Sequence, residues 1–321
     1  MKSILLALAL LSLLVFSGCG GGGSSNDSGL TPVRLQTDWY AQPEHGGFYQ
    51  AKNDGTYAAA GLDVTINQGG PNALIFEKLL TGRTDFAIGR ADDVIMRISE
   101  GMPLVVVGVM MQHDPQCLML HGSNPVETFA DLDGKRVMAT PGANWIRALE
   151  AKYEIKLDVI AIDYGMERFL ADENFIQQAF ITNEPYYIRK NGAEPKVFLL
   201  ADAGFDPYRV IYTTKAYASA NPEAVEAFVA GSTTGWTNYL QSDPSSPTNQ
   251  ELIGLNLKLD AEFVSYSIQT MIERELIAGD PEKGQAIGKL DPARILQTIT
   301  TLSSLDLLKS PLSVEDVVFQ K

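Results

Sequence analysis

The sequence predicts an α/β fold in two lobes with a helical C-terminal region, and three observations carry that expectation. From Val33 to Val109 strand-like and helix-like segments alternate, a second alternating unit runs from Arg136 to Leu200, and beyond Asn221 the chain turns mostly helical. Repeated strand–helix–strand order implies a mainly parallel sheet covered on both faces. The chain passes between the two units near Gln116–His121 and again near Tyr208–Thr214. That leaves a cleft suited to hinge closure around a small ligand. Lobe 1 is expected over 32–117 plus 213–321, with the helical tail packed on it, and lobe 2 over 118–212.

The N-terminal segment speaks of location. Met1 to Cys19 carries one early cation, Lys2, an apolar run from Ile4 to Phe16, and then Ser17, Gly18 and Cys19. It is too short for a membrane span and reads as a secretory signal. The small residues before Cys19 and the Gly/Ser-rich stretch Gly20 to Ser28 resemble a bacterial lipobox and tether, with Phe16 where that motif usually carries Leu. The expectation is a signal peptide over 1–18, a diacylated Cys19 and a flexible tether over 19–31. This places the body at the extracytoplasmic face of a membrane.

Each element has its own signal. Val33–Thr37 reads as a strand, Gly47–Ala60 as a helix and Leu62–Asn67 as an alternating strand. Asn72–Leu80 reads as a helix, Thr84–Ile88 as a strand and Asp92–Glu100 as a helix. Pro103–Val109 is the continuous apolar run of a buried parallel strand. In the second unit, Asp133-Gly134-Lys135 turns into strand Arg136–Ala139, and Thr140 to Trp145 opens a helix. Asp158–Ile162, Gln177–Thr182 and Lys196–Leu200 supply further strands. Asn221-Pro222-Glu223 reads as a helix cap, Asp260 as a second and Asp291-Pro292 as a third, with Ile295, Ile299 and Leu302 on one face. Ser242–Asn249 reads as a solvated connection.

Composition narrows the function classes. The net charge of -14 argues against nucleic acid or an anionic membrane surface as partner. Cys19 and Cys117 are the two cysteines, so the body cannot form an internal disulfide. Cys117 reads as a packing residue. Histidines 45, 113 and 121 make no HExxH pattern, and no GxSxG elbow occurs, so neither a metal nor a cofactor is expected.

Candidate ligand residues cluster at strand ends, where loop side chains and free helix N–H groups converge. In Asp38 to Ala51, DWYAQPEHGGFYQA, Asp38 opens the stretch and Trp39 and Tyr40 can stack on a flat heterocycle. His45 either hydrogen-bonds the ligand or caps the helix at Gly46-Gly47, and Tyr49 lies one turn later. Gly69-Gly70-Pro71-Asn72 joins strand to helix with Gly70 permitting close approach and Asn72 as a cap. Thr140 to Asn144 repeats this on the second lobe, with Trp145 beside it. Arg90 and Asp92 follow a strand end, and His113 marks the cleft-side end of another. Asn183-Glu184 ends a strand before Tyr187, and Glu184 either accepts two ligand N–H groups or pairs with Arg189.

Several of these stretches in order carry a resemblance. DWYAQPEHGGFYQA with GTYAAAGLDVTI, GGPNAL at 69–74, GRTDFAIG at 82–89, GMPLVVVGVMMQHDP at 101–115 and DLDGKRV at 131–137 resemble the thiamine-pyrimidine synthase-like family. That family is similar to the nitrate, sulfonate and taurine periplasmic binding proteins of ABC importers. The resemblance spans about residues 33–240. It implies a type II periplasmic-binding fold, an ABC permease as partner and a ligand between the lobes. The implied ligand is a pyrimidine precursor of thiamine such as hydroxymethylpyrimidine or formylaminopyrimidine, with riboflavin, an aromatic sulfonate, nitrate or taurine as alternatives. In pyrimidine-binding relatives the Asn-Glu pair recurs, which implies a ligand role for Asn183 and Glu184. The branch of the family that makes the pyrimidine from pyridoxal phosphate uses a lysine and a histidine after the DFAIG-like strand. The matching positions here are Gly89 and Asp93, and no lysine lies between Lys78 and Lys135. A binding protein without enzymatic activity is therefore expected, with a tethered sensor module or a degenerate synthase as alternatives.

Overall fold

The computed structural model describes residues 29–320; the expected signal segment, Cys19 and the tether through residue 28 lie outside the described residues. The first run of elements comprises β1 (Thr31–Gln36), α1 (Gly46–Asn53), α2 (Thr56–Ala59), β2 (Leu62–Asn67), α3 (Ile75–Leu80), β3 (Phe86–Arg90), α4 (Ala91–Ser99) and β4 (Leu104–Met111). The second comprises β5 (Gln116–His121), β6 (Arg136–Ala139), α5 (Asn144–Tyr153), β7 (Asp158–Ala161), α6 (Glu167–Ala171), β8 (Gln177–Phe180), α7 (Glu184–Lys190) and β9 (Pro195–Leu199). The chain then returns through β10 (Arg209–Thr214), α8 (Lys215–Ala220), α9 (Pro222–Tyr239), α10 (Pro247–Leu255), α11 (Ala261–Glu273), α12 (Pro292–Ser304) and α13 (Val314–Val317).

Two five-stranded sheets result, ordered β2-β1-β3-β10-β4 and β7-β6-β8-β5-β9. β1 runs parallel to β2 and β3, and β6 parallel to β7 and β8, as the strand–helix alternation predicts. The two segments expected to link the lobes are themselves strands. β10 lies antiparallel between β3 and β4, and β5 antiparallel between β8 and β9. Each arrives straight from the other lobe without the helical crossover that a parallel neighbour requires.

Other departures have local causes. The expected helix Gly47–Ala60 breaks after Asn53, where the Asp54 carboxylate accepts the Thr56 N–H at 3.0 Å and Gly55 takes φ +80°. Asn72 caps nothing, because α3 begins at Ile75 after Leu74 at φ +49°. Asn221 turns back to the Tyr217 carbonyl at 3.1 Å instead of capping α9. The expected connection from Ser242 is at least partly exposed as far as Pro247 but shorter than expected: Ser246 caps α10, and buried Asn249 accepts the Tyr239 hydroxyl at 2.9 Å. Asp260 and Asp291 do cap α11 and α12, and Ile295, Ile299 and Leu302 bury one face of α12.

The helical tail packs mainly on lobe 1. α9 lies across α1 so closely that a Cβ at Gly46 would stand 2.0 Å from the Tyr239 ring, and one at Gly47 2.3 Å from Trp236. Thus the glycine pair in the stretch after His45 is a packing requirement. α12 and α13 cover α4 and β4. α11 also grips lobe 2, with Phe263 stacked on Tyr187 at 5.1 Å and the Tyr266 hydroxyl on the Ile181 carbonyl at 2.7 Å. Among the described residues no helix is long and apolar enough to cross a membrane.

Candidate functional site

The carboxyl ends of β1 and β3 and the amino end of β10 in one sheet, and the carboxyl end of β8 in the other, meet where the lobes face each other. After β1, the Thr37 hydroxyl donates to the Trp39 carbonyl at 2.7 Å and turns the chain out of the sheet. Asp38 then points at two partners, the Arg209 guanidinium that opens β10 and His45 Nε2 at 3.0 Å. Burial alone would raise the Asp38 pKa, but Arg209 and then His45 outweigh it and hold the carboxylate at about 2. Phe180, the last residue of β8, covers Arg209 with its ring at 5.3 Å. His45 stands at the N-cap position of α1 but makes no capping bond, since Asp38 holds its ring.

Glu44 is 2 % exposed and accepts the Thr182 hydroxyl from lobe 2 through one oxygen. Its other oxygen, like His45 Nδ1, is buried without a hydrogen-bond partner. Burial pushes the Glu44 pKa up. Glu184 begins α7 and accepts the Phe180 N–H at 2.8 Å, closing that turn on itself. Burial raises its pKa to about 7, with Glu44 adding in the same direction.

A second cluster lies beside the first. Arg90 ends β3 and pairs with Asp92, reaches the Gln116 amide oxygen of lobe 2, and has Nε 3.6 Å from the buried Asp114 carboxylate. Asn144, the first residue of α5, donates across the cleft to Asp92 at 2.9 Å and to Asp93 at 3.3 Å. Around both clusters the described residues place six carboxylates, Asp38, Glu44, Asp92, Asp93, Asp114 and Glu184, against Arg90 and Arg209.

The structure thus brings Asp38, His45, Arg90, Asp92, Asn144 and Glu184 together between the lobes. Trp39 and the half-exposed Tyr40 form a ledge beside them, their rings edge to face at 5.5 Å. Gly70, at φ +147°, lets its loop approach the Tyr40 ring. Thr140 is exposed and gives its N–H to Gln178, and Asn183 precedes α7 half-buried.

Five expected ligand residues stand elsewhere. Tyr49 and Trp145 have 2 % and 0 % exposure and fill the cores of lobe 1 and lobe 2. The Tyr187 hydroxyl donates to the Lys258 carbonyl and its ring stacks on α11. His113 joins the two interlobe crossings, with Nδ1 2.6 Å from Asp206 and Nε2 3.1 Å from Gln285. Asn72 lies exposed in the turn before α3.

Sequence reasoning missed Arg209, Thr182, Gln116 and Tyr164, and left Glu44 unassigned within a stretch it had singled out. Arg209 carried a signal: it is the one charge in the apolar run Arg209–Thr214. Tyr164 follows β7 beside Gly165, and its ring reaches Trp39 at 5.0 Å.

The chain is 25% identical over 334 residues to the formylaminopyrimidine-binding protein of Halalkalibacterium halodurans, covering 98% of each chain. It is 22% identical to the riboflavin-binding protein RibY of Chloroflexus aurantiacus, over 98% of this chain and 96% of that one. The periplasmic aliphatic sulphonate binding protein SsuA of Escherichia coli shares the two-lobed fold with a TM-score of 0.66 at 14% identity, over 90% of this chain and 92% of that one. The family described as NMT1/THI5 like matches residues 42–246, and the chain belongs to that family.

Proposed function

We propose that this protein is the solute-binding component of an ABC importer and holds a flat, nitrogen-rich heterocycle of the pyrimidine type between its lobes. One observation carries the reading: buried hydrogen-bond acceptors gather beside the Trp39 ledge, and the free Glu44 oxygen is unmatched by protein. A ring bearing N–H donors satisfies such acceptors, and an aromatic face rewards its planarity. An anion such as a sulfonate or nitrate would meet six carboxylates there. Cations with no carboxylate partner among the described residues are better placed at the open concavity by the ends of β1 and β2, where Lys78, hydrogen-bonded to Gln36 at 2.8 Å, and Arg83 lie.

The full-length similarity to a formylaminopyrimidine-binding protein supports the pyrimidine class, and that to a riboflavin-binding protein supports a flavin as the second reading. Asp38, Trp39, Tyr40, His45, Glu44 and Glu184 are the residues assigned to the ligand. Arg90, Asp92 and Asn144 hold the lobes together beside it. The reading makes the chain a binder and not an enzyme, extracytoplasmic, tethered through Cys19 and delivering its ligand to a permease.

Isothermal titration of the purified body with formylaminopyrimidine, riboflavin and taurine tests it. Formylaminopyrimidine is expected to bind at micromolar concentration or tighter, on the order of -8 kcal/mol. Binding of taurine alone would overturn the ligand class.

A further inference from the structure

Trp39 and Tyr164 occupy matching places in the two lobes. Trp39 lies just beyond the carboxyl end of β1 and Tyr164 just beyond that of β7, each in a loop that faces the other sheet. Their rings meet across the cleft with centroids 5.0 Å apart and planes at 45°. Trp39 is braced from behind by Tyr40, whose ring leans on the Gly70 loop. Tyr164 is 53% exposed, so its position is not imposed by burial. Its backbone takes φ +60°, a left-handed conformation that is rare and costly for a bulky residue.

That conformation is held in place by its neighbours. The Asp163 carboxylate accepts the Gly165 N–H at 3.0 Å and pairs with Arg168 at 3.4 Å. Glu167 accepts the Met166 N–H at 3.1 Å. Strain kept by a surrounding framework, on an exposed ring aimed across a cleft, is how a ligand clamp is built.

We propose that Tyr164 is the lobe 2 jaw of an aromatic clamp, and that a planar heterocycle binds by parting the Trp39 and Tyr164 rings and stacking between them. The ligand class rests on the proposed function; the identity of the second jaw rests on the ring geometry. Closure is then read by the ligand itself. A flat ring bridges both jaws, whereas a tetrahedral anion gives neither jaw a face to stack on. Stacking of a heterocyclic base on an aromatic side chain contributes enough that removing one jaw lowers affinity by about 10-fold.

Three forms of the full body, wild type, Tyr164→Phe and Tyr164→Gly, are titrated with formylaminopyrimidine and with riboflavin, and their melting temperatures recorded. Glycine relieves the positive φ, so Tyr164→Gly is expected to melt at or above the wild-type temperature while its affinity falls by about 10-fold. Tyr164→Phe keeps the ring and is expected to bind within about 2-fold of wild type. Trp39 emission is expected to be quenched by ligand in wild type and Tyr164→Phe, and less so in Tyr164→Gly. Wild-type affinity in Tyr164→Gly overturns the clamp while leaving the binding function intact. Failure of wild type to bind either ring overturns the ligand class, and the clamp with it.

Discussion

The two walls of the interlobe cleft use polar side chains in opposite ways. On the lobe 1 wall most charges are already matched within the lobe: Asp38 holds Arg209 and His45, and Arg90 holds Asp92, with Glu44 the exception. On the lobe 2 wall the polar groups are neutral or bound to backbone, and find side-chain partners only by reaching across, as Thr182 does to Glu44 and Asn144 to Asp92. Glu184 is held by backbone N–H groups, that of Phe180 at 2.8 Å among them. The difference teaches how such a cleft can be both rigid and movable. A wall of paired charges keeps its geometry however the lobes stand, because separating buried partners is costly. A wall of single hydrogen bonds exchanges them with water at a net cost of about 1 kcal/mol each.

Breaking the paired wall should have the largest effect. Arg209→Ala leaves Asp38 with His45 alone and uncovers the face on which Phe180 rests. Removing one partner of a buried ion pair costs about 3–5 kcal/mol. The melting temperature is expected to fall by roughly 10 °C, and ligand binding to be lost at accessible concentrations. A variant that melts within about 2 °C of wild type would show that the pairing contributes little and that the two walls are alike.

Glu184 sharpens the comparison through pH. Its pKa is raised from 4.5 to about 7 by burial, so the folded protein binds that proton more tightly than the unfolded chain does. The stabilisation is fully present below pH 4.5 and is lost as pH rises through about 7. Asp38 has the opposite sign: held at about 2 against an ordinary 3.8, it stabilises the fold above pH 4 and loses that only toward pH 2. Between pH 5 and 8 Glu184 therefore titrates, as does Asp93, raised to about 6 by burial and by Asp92 beside it, while Asp38 stays ionised. Denaturant unfolding of wild type is expected to show stability declining across that range, on the order of 2 kcal/mol after allowance for solvent screening. Glu184→Gln should lessen the decline, leaving the part that Asp93 contributes. An unchanged slope in the variant would place the titration elsewhere.

The comparison also explains what sequence could and could not reveal. β2 was legible to the residue because its side chains alternate, and the buried face of α12 because Ile295, Ile299 and Leu302 recur at helical spacing. Such patterns are local. The direction of β5 and β10 was not legible, since a short buried strand carries no sign of which way it runs or which sheet it enters. The same limit applies to the site. Residues at strand ends, Asp38, Arg90 and Glu184, were expected at the cleft from position, Glu184 also from the resemblance, and all three stand there. Their partners were not: Arg209 lies 171 residues from Asp38 and Thr182 lies 138 from Glu44. Tyr187 failed for the mirror reason, since the segment that claims it comes 71 residues later. Strand-end position predicts that a residue is near the cleft, but not whether protein or ligand holds it.

Thr182 is where the smallest effect is expected and where the contrast between the walls is most cleanly tested. Thr182→Val keeps the shape and removes only the hydroxyl that Glu44 accepts, so the paired charges of Asp38 and Arg90 are untouched. Thr182→Ser keeps the hydroxyl and removes a methyl group. Since Glu44 is buried and its other oxygen has no protein partner, the valine variant leaves the carboxylate without a side-chain donor when the lobes meet. Leaving such a group unmet costs about 1–3 kcal/mol. Opening the lobes lets water satisfy it, so the cost falls on closure more than on the fold. Paired spin labels on the two lobes should therefore report a more open population in Thr182→Val than in Thr182→Ser, while the melting temperatures of the two differ by only a few degrees. Ligand affinity should drop about 10-fold in the valine variant alone, and recover as pH falls and Glu44 takes up a proton, because the neutral carboxyl is the form that tolerates burial. Equal label distances in the two variants would mean that the lobes are held by Asn144 and Gln116 instead, and that the wall of single bonds is weighted toward Arg90.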